Sequence, residues 1–399
     1  MSGSAKLHRG LPLTLRIDKL GVLIVALTAY GAVSPFATLR ANRIVRGEGY
    51  GIISALPDVV GVLFVLVLAA GALVALLRRE PLVRLLAAAV VLVVMFACIG
   101  VSAAMLTPEE NSYARVSPAS GFWILLFTFS LLATDGISRM NPRPITRLLY
   151  LAVAVGTMSA ILLSGLWVDL SVMKEYAARA DVFWTEATRH MLLALGSLLA
   201  ATLIGLPLGI LCERLPRIRS AVLNALNLVQ TIPSIALFGI MIGPLGWIAA
   251  NVPGAYAIGV RGIGTAPAFV ALFLYSLLPI VANTVAGLAG VPREAREAAR
   301  GLGMTSAQRL TRVEFPLALP VILTGIRIVL VQNIGLATIA ALIGGGGFGT
   351  FVFQGLGQTA TDLVLLGALP TVALAFVSAV ILDALIDMNA VAPARKDAR

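Results

Sequence analysis

The sequence predicts an all-α polytopic membrane protein of about ten transmembrane helices. Charged residues are 12% of the 399 and hydrophobic ones 59%, whereas a soluble domain spends about a quarter of its residues on charge. Apolar runs of roughly 20 residues, enough to cross a bilayer as helix, recur along the whole chain. The short alternating segments of a transmembrane β-barrel are not seen.

In order, the predicted spans lie near residues 20–36, 57–77, 85–106, 119–134, 148–167, 190–212, 220–243, 266–290, 317–343 and 362–388. The first, within KLGVLIVALTAYGAVSPF, reads as an uncleaved span and not as a signal peptide, because so many spans follow it. With both termini on the cytoplasmic side, most of the 30 Lys and Arg fall there: in the N-terminal tail, around Arg78, Arg139 and Arg214, in the segment 292–316, and in the tail APARKDAR. That asymmetry obeys the positive-inside rule, so the net charge of +11 reflects topology and requires no nucleic acid.

The chain is divided into an N-terminal extension of about five spans (1–170), an interfacial linker (171–189), a C-terminal core of spans (190–390) and a basic cytoplasmic tail (391–399). In the linker, Trp184 is either an interface anchor or a packing residue. Cys98 and Cys212 fall in separate spans and read as small buried apolar residues, and His8 and His190 have no partner at ligand spacing. Neither metal nor cofactor is expected.

One segment breaks the apolar pattern. PREAREAARGLGMTSAQRLTRVEFPLALP, from Pro292 to Pro320, holds five Arg and three Glu. Pro292 suits a first helical turn. Glu294 and Arg300 suit the two ends of the macrodipole, and REAREAAR is a strong helix former. Gly301 and Gly303 end the helix. Thr305 and Gln308 form a capping box for a second short helix, which Pro316 stops or kinks. The outcome is two short helices meeting at a glycine corner, with Ala298 and Ala299 leaving a low patch for another protein. A solvated loop is the alternative.

Within that segment Glu297, Ala298, Ala299, Gly303, Val313, Phe315 and Pro316 resemble the "EAA" coupling motif of ABC-importer permeases. Val313 and Phe315 stand where the family more often has Ile and Leu. The resemblance implies that the segment plugs into a separate cytoplasmic ATPase subunit. The sequence itself contains no Gly-Lys pair and hence no phosphate-binding GxxxxGK[ST] loop. IGGGGFGTF lacks the Lys and reads as a flexible or re-entrant hinge.

The core also carries polar residues inside apolar runs. Asn224, Asn227, Thr231 and Ser234 fall on one face of the seventh span, with Gln230 beside them and Pro233 kinking it. Ser276 and Asn283 share a face of the eighth, and Arg327, Gln332 and Asn333 interrupt the ninth. These residues either wall a translocation pathway or hydrogen-bond the bundle together. Arg327 is a functional residue, a snorkelling one, or the partner of a neighbouring helix end. No conspicuous carboxylate is expected beside it. Nor is an aromatic cluster expected in this half.

NLVQTIPSIALFGIMIGPLG, EAARGLGMTSAQRLTRVEFPLALPVILTGIR and NIGLATIAALIGGGGFGTFVFQGL together resemble the osmoprotectant branch of these permeases, over about residues 186–388. The N-terminal half is similar only to the extra spans of longer members. The resemblance implies a type I importer permease core in the C-terminal half, seated in a bacterial inner membrane. It implies import of glycine betaine, choline or carnitine by alternating access. The partners it implies are ATPase subunits, a second or homologous permease, and a periplasmic or lipid-anchored substrate-binding protein. Methionine or another amino acid is the alternative substrate. A secondary transporter on an ion gradient would need intramembrane acids or repeats around a broken helix, and neither is evident.

Overall fold

A computed structural model describes residues 18–42, 45–77, 80–111 and 113–389. The N-terminal tail, Arg78 and the tail 391–399 invoked in the charge asymmetry lie outside the described residues. Among the described residues, nine helices are long and apolar enough to cross a membrane, and a shorter apolar helix precedes them. The chain forms two compact units, one running up to Pro142 with Gly156–Met173, the other Arg143–Val155 with the rest from Lys174.

In the first unit, α1 (Lys19–Val33) is followed by β1 (Ala37–Arg40), β2 (Glu48–Tyr50), a short α2 (Ile52–Ala55), α3 (Asp58–Leu76) and α4 (Pro81–Leu106). Then come β3 (Arg115–Pro118) and α5 (Ser120–Met140). The strands pair antiparallel in the order β2-β1-β3, so the loops leaving α1 and α4 meet at one end of the bundle. The core is apolar and aromatic, with Phe36 tilted against Phe64 at 5.4 Å and Leu68, Met95 and Phe129 fully enclosed. At the opposite end lies a charge node that the sequence reading missed. Arg84 is 0% exposed and donates to Asp18 Oδ2 at 3.0 Å, to Asp135 Oδ2 at 2.7 Å and to the Ala75 carbonyl at 2.8 Å. Arg139 closes the ring onto both carboxylates. These bonds join the ends of α1, α3, α4 and α5.

The connecting helix α6 (Pro144–Leu163) belongs partly to each unit and buries none of its residues. After α7 (Ser171–Ala178), α8 runs unbroken from Ala180 to Arg214. The expected linker 171–189 is therefore not one interfacial helix: its second half is the first three turns of the span. Trp184, 62% exposed, lies on that helix. DVFWTEATRHM contains no Gly or Pro, so nothing stops the helix where the apolar run begins.

The second unit continues with α9 (Pro216–Thr231), α10 (Ser234–Asn251), α11 (Thr265–Ala289), α12 (Arg293–Gly301) and α13 (Ser306–Arg309). One wide turn over Leu310–Glu314 leads into α14 (Phe315–Ile339). A tighter turn over Ala340–Ile343 follows, then α15 (Gly349–Gly357) and α16 (Thr361–Asn389). Helices α8, α11 and α14 form the centre. Small residues bring them together, as helix association in lipid favours. A Cβ on Gly209 would meet Thr284 Cβ at 2.6 Å, and one on Gly325 would meet Asn283 Cβ at 2.7 Å.

The seventh predicted span is broken. Helix α9 ends at Thr231 and α10 begins at Ser234, with Ile232 extended between them. Pro233 has no N–H to bond back to Val229, so the helix cannot pass through it intact. The stripe Asn224–Asn227–Thr231–Ser234 is thus not one face of one helix, and a broken helix exists where the sequence showed none.

Candidate coupling elbow and translocation path

The charged segment folds as an elbow on the ends of α8 and α11. Pro292 is the residue just before α12, with φ −55° and ψ 140°, and does not enter the first turn. Glu294 and Arg300 occupy opposite ends of the helix. Gly303 then takes φ +76°, a left-handed conformation that side chains resist, with open space where a Cβ would stand. Thr305 and Gln308 form both bonds of the capping box, at 2.9 and 3.3 Å.

Pro316 does not stop the second arm: helical structure runs on through Ser306–Ile343, 38 residues. The Phe315 N–H bonds to the Leu310 carbonyl, one residue further back than in an α-helix. That widened turn sits just ahead of Pro316, where a regular turn would press the proline ring on the carbonyl four residues before it.

Glu297 and Ala298 face outwards, but Ala299 is 3% exposed and packs inwards. The low patch expected from both alanines is Ala298 alone. Beside it Leu302 stands 77% exposed at the corner. Phe315 packs with Leu288, Val291, Ala318 and Ile322, Val313 is half-buried, and Pro316 is exposed.

Four residues that the sequence reading overlooked hold the elbow in place. Glu314, 8% exposed, accepts from Arg309 Nε at 2.8 Å and lies 4.0 Å from Arg296 Nε. Arg296 also reaches Glu213 at 3.6 Å, at the end of α8, and donates to the Leu288 carbonyl of α11. The available signal was the apolar company of Glu314 in LTRVEF, unusual for an unpaired carboxylate.

The break after α9 is stapled to α11. Pro279 inside α11 cannot donate to the Tyr275 carbonyl, and that freed carbonyl accepts from Gln230 Nε2 at 2.8 Å. In return, the Tyr275 hydroxyl donates to the Ile232 carbonyl in the break. Asn224, Asn227, Thr231 and Pro233 are exposed, and Ser234 and Gln332 are half-buried.

Other polar residues of the core hydrogen-bond between helices or within one. Asn333 donates from Nδ2 to Ser197 Oγ and to Ser276 Oγ, each at 2.9 Å, and all three are 0% exposed. This node joins α8, α11 and α14, and Ser197 was the member the sequence reading did not single out. Asn283 Nδ2 donates back to the Pro279 carbonyl at 2.7 Å. Arg327 does have a carboxylate partner, Asp383 on α16, at 2.6 Å. The two lie on different spans, so only folding reveals the pair. The expectation of no aromatic cluster also fails: Phe183 packs against Phe348 at 5.3 Å and Phe351 at 6.0 Å, with Tyr176 and Trp184 at its other side. These rings pack on one another, and Phe348 and Phe351 are buried.

Residues 205–390 match the family model described as binding-protein-dependent transport system inner membrane component. Residues 18–173 match the one described as ABC transporter permease YehY, N-terminal domain. The osmoprotectant import permease protein OsmW of Salmonella typhimurium is 46% identical over 189 residues, 47% of this chain and 83% of the relative. The carnitine transport permease protein OpuCB of Listeria monocytogenes is 38% identical, over 48% of this chain and 81% of its own. The choline transport system permease protein OpuBB of Bacillus subtilis is 37% identical, over 47% and 79%. Among solved structures, a chain of the MetNI methionine ABC transporter in inward-facing conformations aligns with TM-score 0.46 and 23% identity, covering 53% of this chain and 97% of that one.

Proposed function

We propose, for a chain that belongs to the inner-membrane permease family of binding-protein-dependent ABC importers, that it conducts a compatible solute of the glycine betaine, choline or carnitine class into the cytoplasm by alternating access. The osmoprotectant, carnitine and choline permeases among its relatives support that substrate class. Both termini lie on the cytoplasmic side of a bacterial inner membrane. ATP is hydrolysed by separate ATPase subunits, since the chain holds no phosphate-binding loop of its own. A second permease copy, or a homologous one, covers the exposed amides of α9, which lipid would not solvate. A substrate-binding protein delivers the solute from outside.

One observation carries the coupling role: a charged, capped elbow anchored by Glu314 and Arg296 and continuous with α14. In this scheme Glu297, Ala298, Gly303 and exposed Leu302 meet the ATPase. Ala299, Val313, Phe315 and Pro316 keep the elbow's shape, and its displacement rocks α14 against α8 and α11. The exposed Asn224, Asn227 and Thr231, with Gln230, Pro233 and Ser234 at the break, face the path. Ser276, Asn283, Gln332 and Asn333 stiffen its wall, and Arg327 with Asp383 ties α14 to α16.

The test is uptake of radiolabelled glycine betaine by vesicles holding this permease with its ATPase and binding protein. Glu297→Lys and Gly303→Asp are expected to abolish uptake while inserting normally. Normal uptake by both variants would remove the coupling role, and no uptake by the wild type of any of the three solutes would remove the substrate class.

A further inference from the structure

In the first unit, one face of the three-stranded sheet changes character at its open end. Leu39 of β1 pairs with Glu48 of β2 on one side and with Val116 of β3 on the other. Side chains two apart in a strand share a face. Carried on by two residues, the same register sets Ala41 between Arg46 and Ala114. Successive rows of that face are thus Glu48, Leu39 and Val116, then Arg46, Ala41 and Ala114. Two alanines stand where the row before has a leucine and a valine, and the missing side-chain volume leaves a hollow.

With the turn that follows α4, the hollow becomes a cavity of about 210 Å³, lined among others by Ala41, Arg46, Glu48, Pro108 and Asn111. A single water needs about 10–15 Å³, so a small organic molecule has room. Asn111 ties the turn to the sheet: its Nδ2 donates to the Ala41 carbonyl at 3.0 Å, and its Oδ1 accepts from the Tyr113 N–H at 3.0 Å. The Tyr50 hydroxyl reaches Glu48 Oε2 at 3.4 Å and orients that carboxylate from its own strand. The charged groups of the lining are one guanidinium and one carboxylate, from residues two apart, whose Cα atoms are therefore roughly 6–7 Å from each other.

A plain anion in this cavity is attracted by Arg46 and repelled by Glu48, and a plain cation meets the reverse. A molecule bearing a carboxylate and a cationic nitrogen a few atoms apart satisfies both. We propose that the cavity is a binding site for a small zwitterion, with the carboxylate of the ligand forked by Arg46 and its cationic nitrogen beside Glu48. Glycine betaine and carnitine belong to that class, whereas choline has no carboxylate. The site lies wholly within the first unit, apart from the helices that carry the proposed transport. With the termini placed as proposed above, it opens to the outside; only that placement rests on the proposed function, and the charge match does not. Arg46 and Glu48 are both exposed. Exposed charges contribute little each, so a dissociation constant on the order of 1 mM is expected.

The test titrates glycine betaine onto the full-length permease with its ATPase in nanodiscs, the binding protein left out, and reads binding by saturation-transfer NMR. Wild type should bind saturably, and exchange of amides 38–41 and 46–49 should slow. Choline and propionate, each with one of the two charges, should bind at least tenfold more weakly. Arg46→Gln and Glu48→Gln should each weaken glycine betaine at least tenfold, and Ala41→Leu, which fills the hollow, should abolish the slowed exchange. The exchanged pair Arg46→Glu with Glu48→Arg should recover binding, because a zwitterion can turn round, whereas a misfolded sheet would stay inactive. No saturable binding by the wild type, unchanged affinity in both single variants, or choline binding as well as glycine betaine overturns the site. A double variant no better than the single ones overturns the charge match. Uptake by the complete transporter separates the two claims. Uptake without binding in this cavity strikes the site alone, and binding here without uptake of any of the three solutes strikes the proposed function alone.

Discussion

Glu314→Gln is the most direct probe of the elbow, because it removes a charge while keeping the shape of the side chain. Glu314 Oε1 holds Arg309 at 2.8 Å and stands 4.0 Å from Arg296, with only 10% of the Glu314 side chain exposed. A hydrogen bond to a charged group contributes about 1.5–3 kcal/mol, and with Arg309 still ionised the bond to the amide that replaces the carboxylate falls at the lower end of that range. The substitution should therefore weaken the anchor by about 1–1.5 kcal/mol. Arg296 keeps Glu213 and the Leu288 carbonyl, so the elbow loosens without coming away. A factor of ten in population corresponds to 1.4 kcal/mol, so the open elbow should become roughly tenfold more populated.

Two measurements read this effect. Hydrogen exchange of amides 293–316 in nanodiscs should accelerate about tenfold, while amides in the centre of α11 stay as in the wild type. Solute imported per ATP hydrolysed should fall, because part of the motor's stroke is absorbed where the anchor has slackened. Arg309→Gln should resemble Glu314→Gln, and the double variant should be no worse than either, as expected for one shared bond. Wild-type exchange and wild-type stoichiometry in Glu314→Gln would refute the anchoring argument. Strict additivity of the two substitutions would refute the pairing.

Two other sites give sharp expectations. Burial alone would raise the Asp18 carboxyl, but the bond from the Leu20 N–H and the charges of Arg84 and Arg139 outweigh it and hold the group below its ordinary range. A depressed carboxyl stabilises the fold above its unfolded value, near about pH 4, and that stability is lost as pH falls through the folded value. The melting temperature of the first unit should thus drop below about pH 4 in the wild type and drop less steeply in Asp18→Asn. At neutral pH, Arg84→Ala should cost about 3–5 kcal/mol, since it removes the buried partner of two carboxylates and leaves them to the half-exposed Arg139. Tyr275→Phe should deprive the Ile232 carbonyl of its donor at a cost of about 1 kcal/mol. Faster exchange of amides 228–236, with α8 unchanged, is the check.

The parts of this molecule legible in the sequence are those set by local rules. Apolar run length places most of the spans, and the capping box at Thr305 and the glycine corner at 303 follow from a few adjacent residues. What escaped are properties of pairs brought together by folding. Arg327 and Asp383 are on different spans, Asn333 needs Ser197 from α8, and the Phe183 cluster needs Phe348 from just before α15. The seventh span escaped for a subtler reason. Its apolar content suffices for a crossing, and a single proline is compatible with either a kink or a complete break.

Folding decides for the break because it supplies partners for what the break exposes. Pro233 alone would leave carbonyls of α9 unsatisfied inside a bilayer, a cost of several kcal/mol. Pro279, on a different helix, independently frees the Tyr275 carbonyl. The two defects meet, and Gln230 and the Tyr275 hydroxyl satisfy both at once. Two prolines that each look like a flaw in a span thus form one joint between α9–α10 and α11. If that joint is what permits the interruption, Pro279→Ala should restore an N–H to bond the Tyr275 carbonyl, displace Gln230 and loosen the break. Pro233→Ala should let α9 and α10 merge into one helix and arrest transport with the elbow intact. Exchange data showing the interruption at 231–233 unchanged in both variants would mean that something other than this pair of prolines maintains it.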